Sequence, residues 1–76
     1  MTLNETAARN AYGQSSHKML FDEYKEAVRK GYPILLQRLK EEANGIFVTP
    51  MLSDEDFKCF EIASEYHYEI EISLIN

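Results

Sequence analysis

Seventy-six residues, 45% of them hydrophobic and nine aromatic, with a formal net charge of −5, describe a small acidic chain with the composition of a folded protein. A chain of this length buries only roughly 60% of the surface its unfolded form exposes, so residues 1–76 are expected to form one small domain around one core. The single Cys59 excludes an internal disulfide and no Cys or close His pair accompanies it to bind zinc. No apolar run approaches the roughly 18 to 20 residues of a membrane span, and Met-Thr-Leu-Asn-Glu does not open a signal peptide. Cytoplasmic localisation, no membrane partner and a complete small gene product starting at Met1 are the expectations.

Residues 1–16 read either as a mobile arm or as a short helix built on Leu3, Ala7, Ala8 and Ala11. From Ser16 onward Leu20, Phe21, Tyr24, Ala27 and Val28 recur at helical spacing, with charged residues on the opposite arc. Gly31 sits where a C-terminal cap is wanted and Pro33 where a helix begins, so a corner at Gly31-Tyr32 is expected. One long helix kinked at Pro33 is the alternative. The next segment puts Leu35, Leu36, Leu39 and Ala43 on one face and stops at Asn44-Gly45.

Ile46-Phe-Val-Thr49, closed by Pro50, reads as a short edge strand. Ser53 is placed to cap a third helix over about 53–64, with Asp56 three residues on and Leu52 and Phe57 spaced as a hydrophobic staple. A strand over Phe57–Ile62 is the alternative. At the C-terminus Tyr66, Tyr68, Ile70, Ile72 and Leu74 alternate with Glu65, His67, Glu69, Glu71 and Ser73, which predicts a half-buried strand with Ile70 and Ile72 in the core. The fold class expected is therefore α+β, with two or three helices packed on a small, mainly antiparallel sheet of two to three strands.

No motif carries chemistry. The acids lie on predicted solvent faces, His17 and His67 are far apart and outside any metal motif, and there is neither a glycine-rich phosphate loop nor a serine nucleophile motif. A flanking Asp56 and Glu61 disfavour a reactive Cys59 thiolate. The expectation is a protein that is not an enzyme, with no catalytic residue, cofactor or metal.

Charge is distributed unevenly: residues 1–40 hold seven bases against four acids, and residues 41–76 hold Lys58 against nine acids. Asp22 with Lys25 and Glu26 with Lys30 stand at helical pairing distances. Nucleic-acid binding is disfavoured, because phosphate affinity needs clustered Lys and Arg, and Arg38 and Lys40 beside Glu41 and Glu42 make a poor recognition helix. By subtraction the expected function is a small protein–protein interaction or regulatory protein, of the kind phage or mobile elements encode, with a protein partner and a homo-dimeric state. Its candidate surface is the C-terminal segment, Glu65, Tyr66, His67, Tyr68, Glu69 and Glu71, with Tyr66 and Tyr68 at a strand-edge seam. The alternative is an acidic inhibitor that blocks a nucleic-acid-binding protein, and a small hydrolase or ligand-binding protein comes third.

Overall fold

A computed structural model describes residues 3–46 and 51–75, with side chains as far as Ile72. The elements are three helices, α1 (Glu5–Gln14), α2 (Phe21–Ala43) and α3 (Asp54–Ile75). Among the described residues there is no strand, so the α+β expectation is overturned in favour of an all-α architecture.

The N-terminal segment is a helix because Asn4 caps it, its side-chain oxygen accepting the Ala7 N–H at 3.1 Å. Its inward face is Ala7, Ala8 and Ala11, all buried, and these short side chains let α1 lie close on α3. Tyr12 then fastens it to α2, stacking edge-on against Tyr24 at 5.4 Å and tilted against Phe21 at 5.3 Å. Phe21 is also flanked by the cations of Arg9 and Lys25, 4.7 and 4.9 Å from its ring centre.

Helix α2 runs straight through the corner expected at Gly31-Tyr32. Leu20 has no acceptor with which to cap its start, and the Glu23 carboxylate takes the Leu20 N–H at 3.3 Å instead. Proline inside a helix costs about 3 kcal/mol relative to alanine, since the Arg29 carbonyl loses its donor. The helix persists because Tyr24, Val28, Gly31 and Leu35, on both sides of Pro33, share one buried line. Gly31 serves close approach rather than a cap: a Cβ there would stand 2.0 Å from the Cys59 carbonyl oxygen. Asn44-Gly45 does end the helix, in a Schellman turn with Gly45 at φ +78°, its N–H bonded to the Glu42 carbonyl at 3.0 Å and that of Ile46 to Glu41 at 2.8 Å.

Of the strand expected at Ile46–Thr49, Ile46 belongs to no strand and residues 47–49 lie outside the described residues. Helix α3 starts as expected, with Ser53 Oγ accepting the Asp56 N–H at 3.2 Å. It then continues through the whole segment expected to be a C-terminal strand. Two periods coexist there: the alternation of Tyr66 to Leu74, and a helical line Cys59, Ile62, Ala63, Tyr66 and Ile70. The helical line wins because extending a capped helix needs no new nucleus, whereas a lone two-stranded sheet is marginal in water. Cys59, Ile62, Ala63 and Tyr66 are buried, Ile70 is half-buried against them, and Tyr68, expected on the same face as Tyr66, is exposed.

The core thus lies where α1 and the first half of α2 meet the middle of α3, around Tyr24, Val28 and Ile62. Two helices of about 33 Å in a body measuring 32 × 31 × 22 Å are splayed rather than laid side by side. Their backbones come into contact at Gly31 and Cys59, and beyond that point α3 carries Tyr66 into the core and Ile70 against it.

Candidate functional site

The six residues expected to form one surface are divided among four environments by the helical turn. Tyr66 is 3% exposed and belongs to the core, its hydroxyl accepting the Asn4 N–H at 2.8 Å and its ring edge-on to Tyr32 at 5.9 Å. Glu65 faces the junction of all three helices, where its carboxylate accepts the Ser15 hydroxyl at 2.9 Å and the Tyr24 hydroxyl at 3.0 Å. Burial, and then the adjacent Glu65 carboxylate, pushes the Tyr24 phenol well above its ordinary value, which keeps the donated proton in place. Tyr68, 62% exposed, lies on the α1 side with Glu69, beside a shallow depression of about 330 Å³ to which Ala11, Gln14 and Ser64 contribute.

His67 and Glu71 lie on the α2 side. The Tyr32 hydroxyl is 2.9 Å from His67 Nδ1, and His67 Nε2 is 3.0 Å from the Glu71 carboxylate. Both contacts are met when Tyr32 donates to Nδ1 and Nε2–H donates to Glu71. Burial raises the Tyr32 phenol above its ordinary value, with Tyr66 and Glu71 adding to the effect. The Tyr32–His67 contact joins α2 to α3, and Glu71 holds the imidazole from one turn further along α3.

Beside this contact the face expected to carry Leu35, Leu36, Leu39 and Ala43 together is divided. Leu35 is buried at 6% exposure, but Leu36 is 49% and Leu39 39% exposed, and Ala43 is exposed as well. The physical reason is angular: successive residues on a helix point about 100° apart, so Leu35 and Leu36 cannot both face one partner helix. Leu35 continues the line Tyr24, Val28, Gly31 into α3, and Leu36, Leu39 and Tyr32 form the next arc. In the first half of α2 that arc holds Phe21 and Lys25, beside which Tyr12 and Glu5 of α1 lie. Helix α1 is only 10 residues long, and the continuation is left partly exposed. Next to Leu36 is a depression of about 310 Å³ walled by Arg29, Tyr32 and Pro33. The adjacent Leu35-Leu36 pair is the signal in the sequence that marks this arc as surplus to the core.

A depression of about 420 Å³ lies between the first half of α2 and the start of α3, with Met19, Ala27 and Cys59 among four acids and two lysines. Burial raises the Cys59 thiol above its ordinary value, with Glu55 adding to it, so the sulfur is a small apolar side chain in the wall. The expected Asp22–Lys25 pair is present at 3.4 Å, whereas Glu26 pairs with Arg29 at 2.7 Å and Lys30 reaches across to Glu55 at 3.8 Å. Among the described residues no group of three His, Cys, Asp or Glu is placed to hold a metal ion, and no helix is long and apolar enough to cross a membrane. Compared with protein-family models, with curated proteins and with solved structures, the chain matches none, and its functional reading rests on these surfaces.

Proposed function

We propose that the chain is a small, non-enzymatic interaction protein that docks another protein on the outer face of the second half of α2. The observation that supports it is the exposed arc of Leu36 and Leu39 next to the depression walled by Arg29, Tyr32 and Pro33. Apolar side chains beside an aromatic and an arginine make the composition at which protein interfaces concentrate their binding energy. The chain of contacts from Tyr32 through His67 to Glu71 holds the edge of this face in one conformation, which lowers the entropic cost of docking. A cytoplasmic setting goes with this reading, since the lone thiol stays reduced there.

The acidic-inhibitor reading has a narrower base. Helix α3 carries seven acids against Lys58, but Glu65 is engaged by Ser15 and Tyr24, Glu55 by Lys30 and Glu71 by His67. Fewer carboxylates are left to stand in for a run of phosphates.

A photo-crosslinking side chain at Leu36 tests the proposal, with the same group at the exposed Glu23 as control. Discrete protein adducts are expected from position 36, absent from position 23 and lost when Leu39→Glu is added. Equal labelling from both positions would sink the docking face.

A further inference from the structure

We infer that the occupant of this face is a second copy of the chain, the two α2 helices crossing antiparallel about a two-fold axis near Leu36. This inference rests on the reading of the Leu36–Leu39 arc as a docking surface and names its partner.

Area is the first support. The chain exposes 5458 Å², whereas a compact monomer of its mass exposes about 4800 Å². The excess, about 650 Å², is close to the roughly 800 Å² that each partner contributes to a standard interface. The radius of gyration of 12.5 Å likewise exceeds the roughly 11.4 Å of a compact chain of this length. A second copy is a partner of the size that such an excess would match.

The face also complements itself. A two-fold interface requires that if residue i of one copy meets residue j of the other, j meets i in return. The arc carries a projection, Leu39, and a depression walled by Arg29, Tyr32, Pro33 and Leu36 about two turns earlier on the same helix. Setting Leu39 against the Tyr32-Pro33 wall of the other copy places the axis beside Leu36, midway between them. Each Leu39 then fills the other copy's depression, and the two Leu36 side chains meet at the centre.

Charge selects this face over the others. Two copies of a chain with net charge −5 repel, most strongly through α3, where acids outnumber bases seven to one. Along residues 29–43 of α2, four bases stand against two acids, and Arg29 and Arg38 are already paired, with Glu26 at 2.7 Å and Glu42 at 3.2 Å. The arc is therefore apolar with edges that do not repel a copy of themselves.

Sedimentation equilibrium of the full chain, from about 1 to 100 µM, reads the association, and the double variant Leu36→Glu/Leu39→Glu probes the face. The parent is expected to be dimeric at tens of micromolar, and the variant at least about tenfold weaker in association, a change of about 1.4 kcal/mol. Its helical circular dichroism should be retained and its melting as a monomer lowered only modestly, because Leu36 is 49% and Leu39 39% exposed. A second variant, Leu36→Cys, should form a disulfide-linked dimer on mild oxidation, since residues at a two-fold axis approach their own copies. Glu61→Cys on the outer face of α3 should not. A parent that is monomeric throughout, or a dimer indifferent to both glutamates, would overturn the second copy as occupant. If a crosslinker at Leu36 then still captures a different protein and Leu39→Glu abolishes the adduct, the docking reading stands alone; if position 36 captures nothing, both fall.

Discussion

The two halves of α2 carry the same kind of sequence and meet opposite fates. Before Pro33, the apolar arc beside the core line is covered, with Phe21 under Tyr12 of α1 and Tyr32 under Tyr66 and His67 of α3. Beyond it, Leu36 and Leu39 occupy the same arc and stand open. Helical periodicity describes both halves equally well, so burial is decided by the length of the covering element and the point where α3 crosses. Gly31 sets that point, because it is where the two backbones come into contact.

The strongest way to break the comparison is therefore to move the crossing. Gly31→Ala gains about 1 kcal/mol of helix propensity, but its methyl group would lie 2.0 Å from the Cys59 carbonyl oxygen and 2.3 Å from the carbonyl carbon. A backbone carbonyl cannot rotate away as a side chain can. We expect a loss beyond the usual overpacking range of about 1 to 3 kcal/mol, read as a chain without a cooperative thermal transition. Next in size is the covered half itself: Ile62→Ala empties a fully buried site and should cost about 2 to 5 kcal/mol in denaturant unfolding.

These two positions also show how far the sequence could be read. The start of α3 was legible, since a cap at Ser53 is a local device with a local signature, and so was the stop at Asn44-Gly45. Gly31 was not, because a glycine that ends a helix and one that admits another backbone look alike until the partner is in place. The alternation from Tyr66 to Leu74 misleads for a related reason. Tyr66 and Ile70 satisfy both a period of two and a period near 3.6, and only the extension of the helix begun at Ser53 decides between them. The proposed site was hidden by the same logic, Leu36 and Leu39 being apolar and hence grouped on one face with the buried Leu35.

Alkali should act on the covered half alone. Tyr24 ionises at a higher pH in the folded chain than its ordinary value of about 10, chiefly because it is buried and then because Glu65 adjoins it. Folding therefore favours the protonated phenol: its contribution is complete below about pH 10 and is lost as pH rises through that value toward the raised one. Tyr24→Phe should flatten the fall in stability above pH 10 without abolishing it, since Tyr32 is shifted in the same direction. Equal slopes for parent and variant in urea titrations at pH 9 to 11 would detach Tyr24 from the effect. A smaller change is expected from Ser53→Ala, which removes the acceptor of the Asp56 N–H and should cost roughly 0.5 to 2 kcal/mol.

The smallest expected effect sharpens the comparison most. Leu36→Ser and Leu39→Ser delete large apolar side chains from a helix that is otherwise part of the core, and a reading of α2 by periodicity alone assigns each a cost like that of Ile62→Ala. With Leu36 49% and Leu39 39% exposed, each serine should cost the monomer about 1 kcal/mol, well below Ile62→Ala. The measurement has to be made at micromolar concentration or below, because any association through this face would add a concentration-dependent stabilisation that the serines remove. At higher concentration the parent should melt progressively above the variants, while Val28→Ala, inside the covered half, should lower the melting temperature by a constant amount at every concentration. A loss of several kcal/mol from Leu36→Ser in the dilute monomer would mean that the second half of α2 is covered after all, and that the arc belongs to the core rather than to a partner.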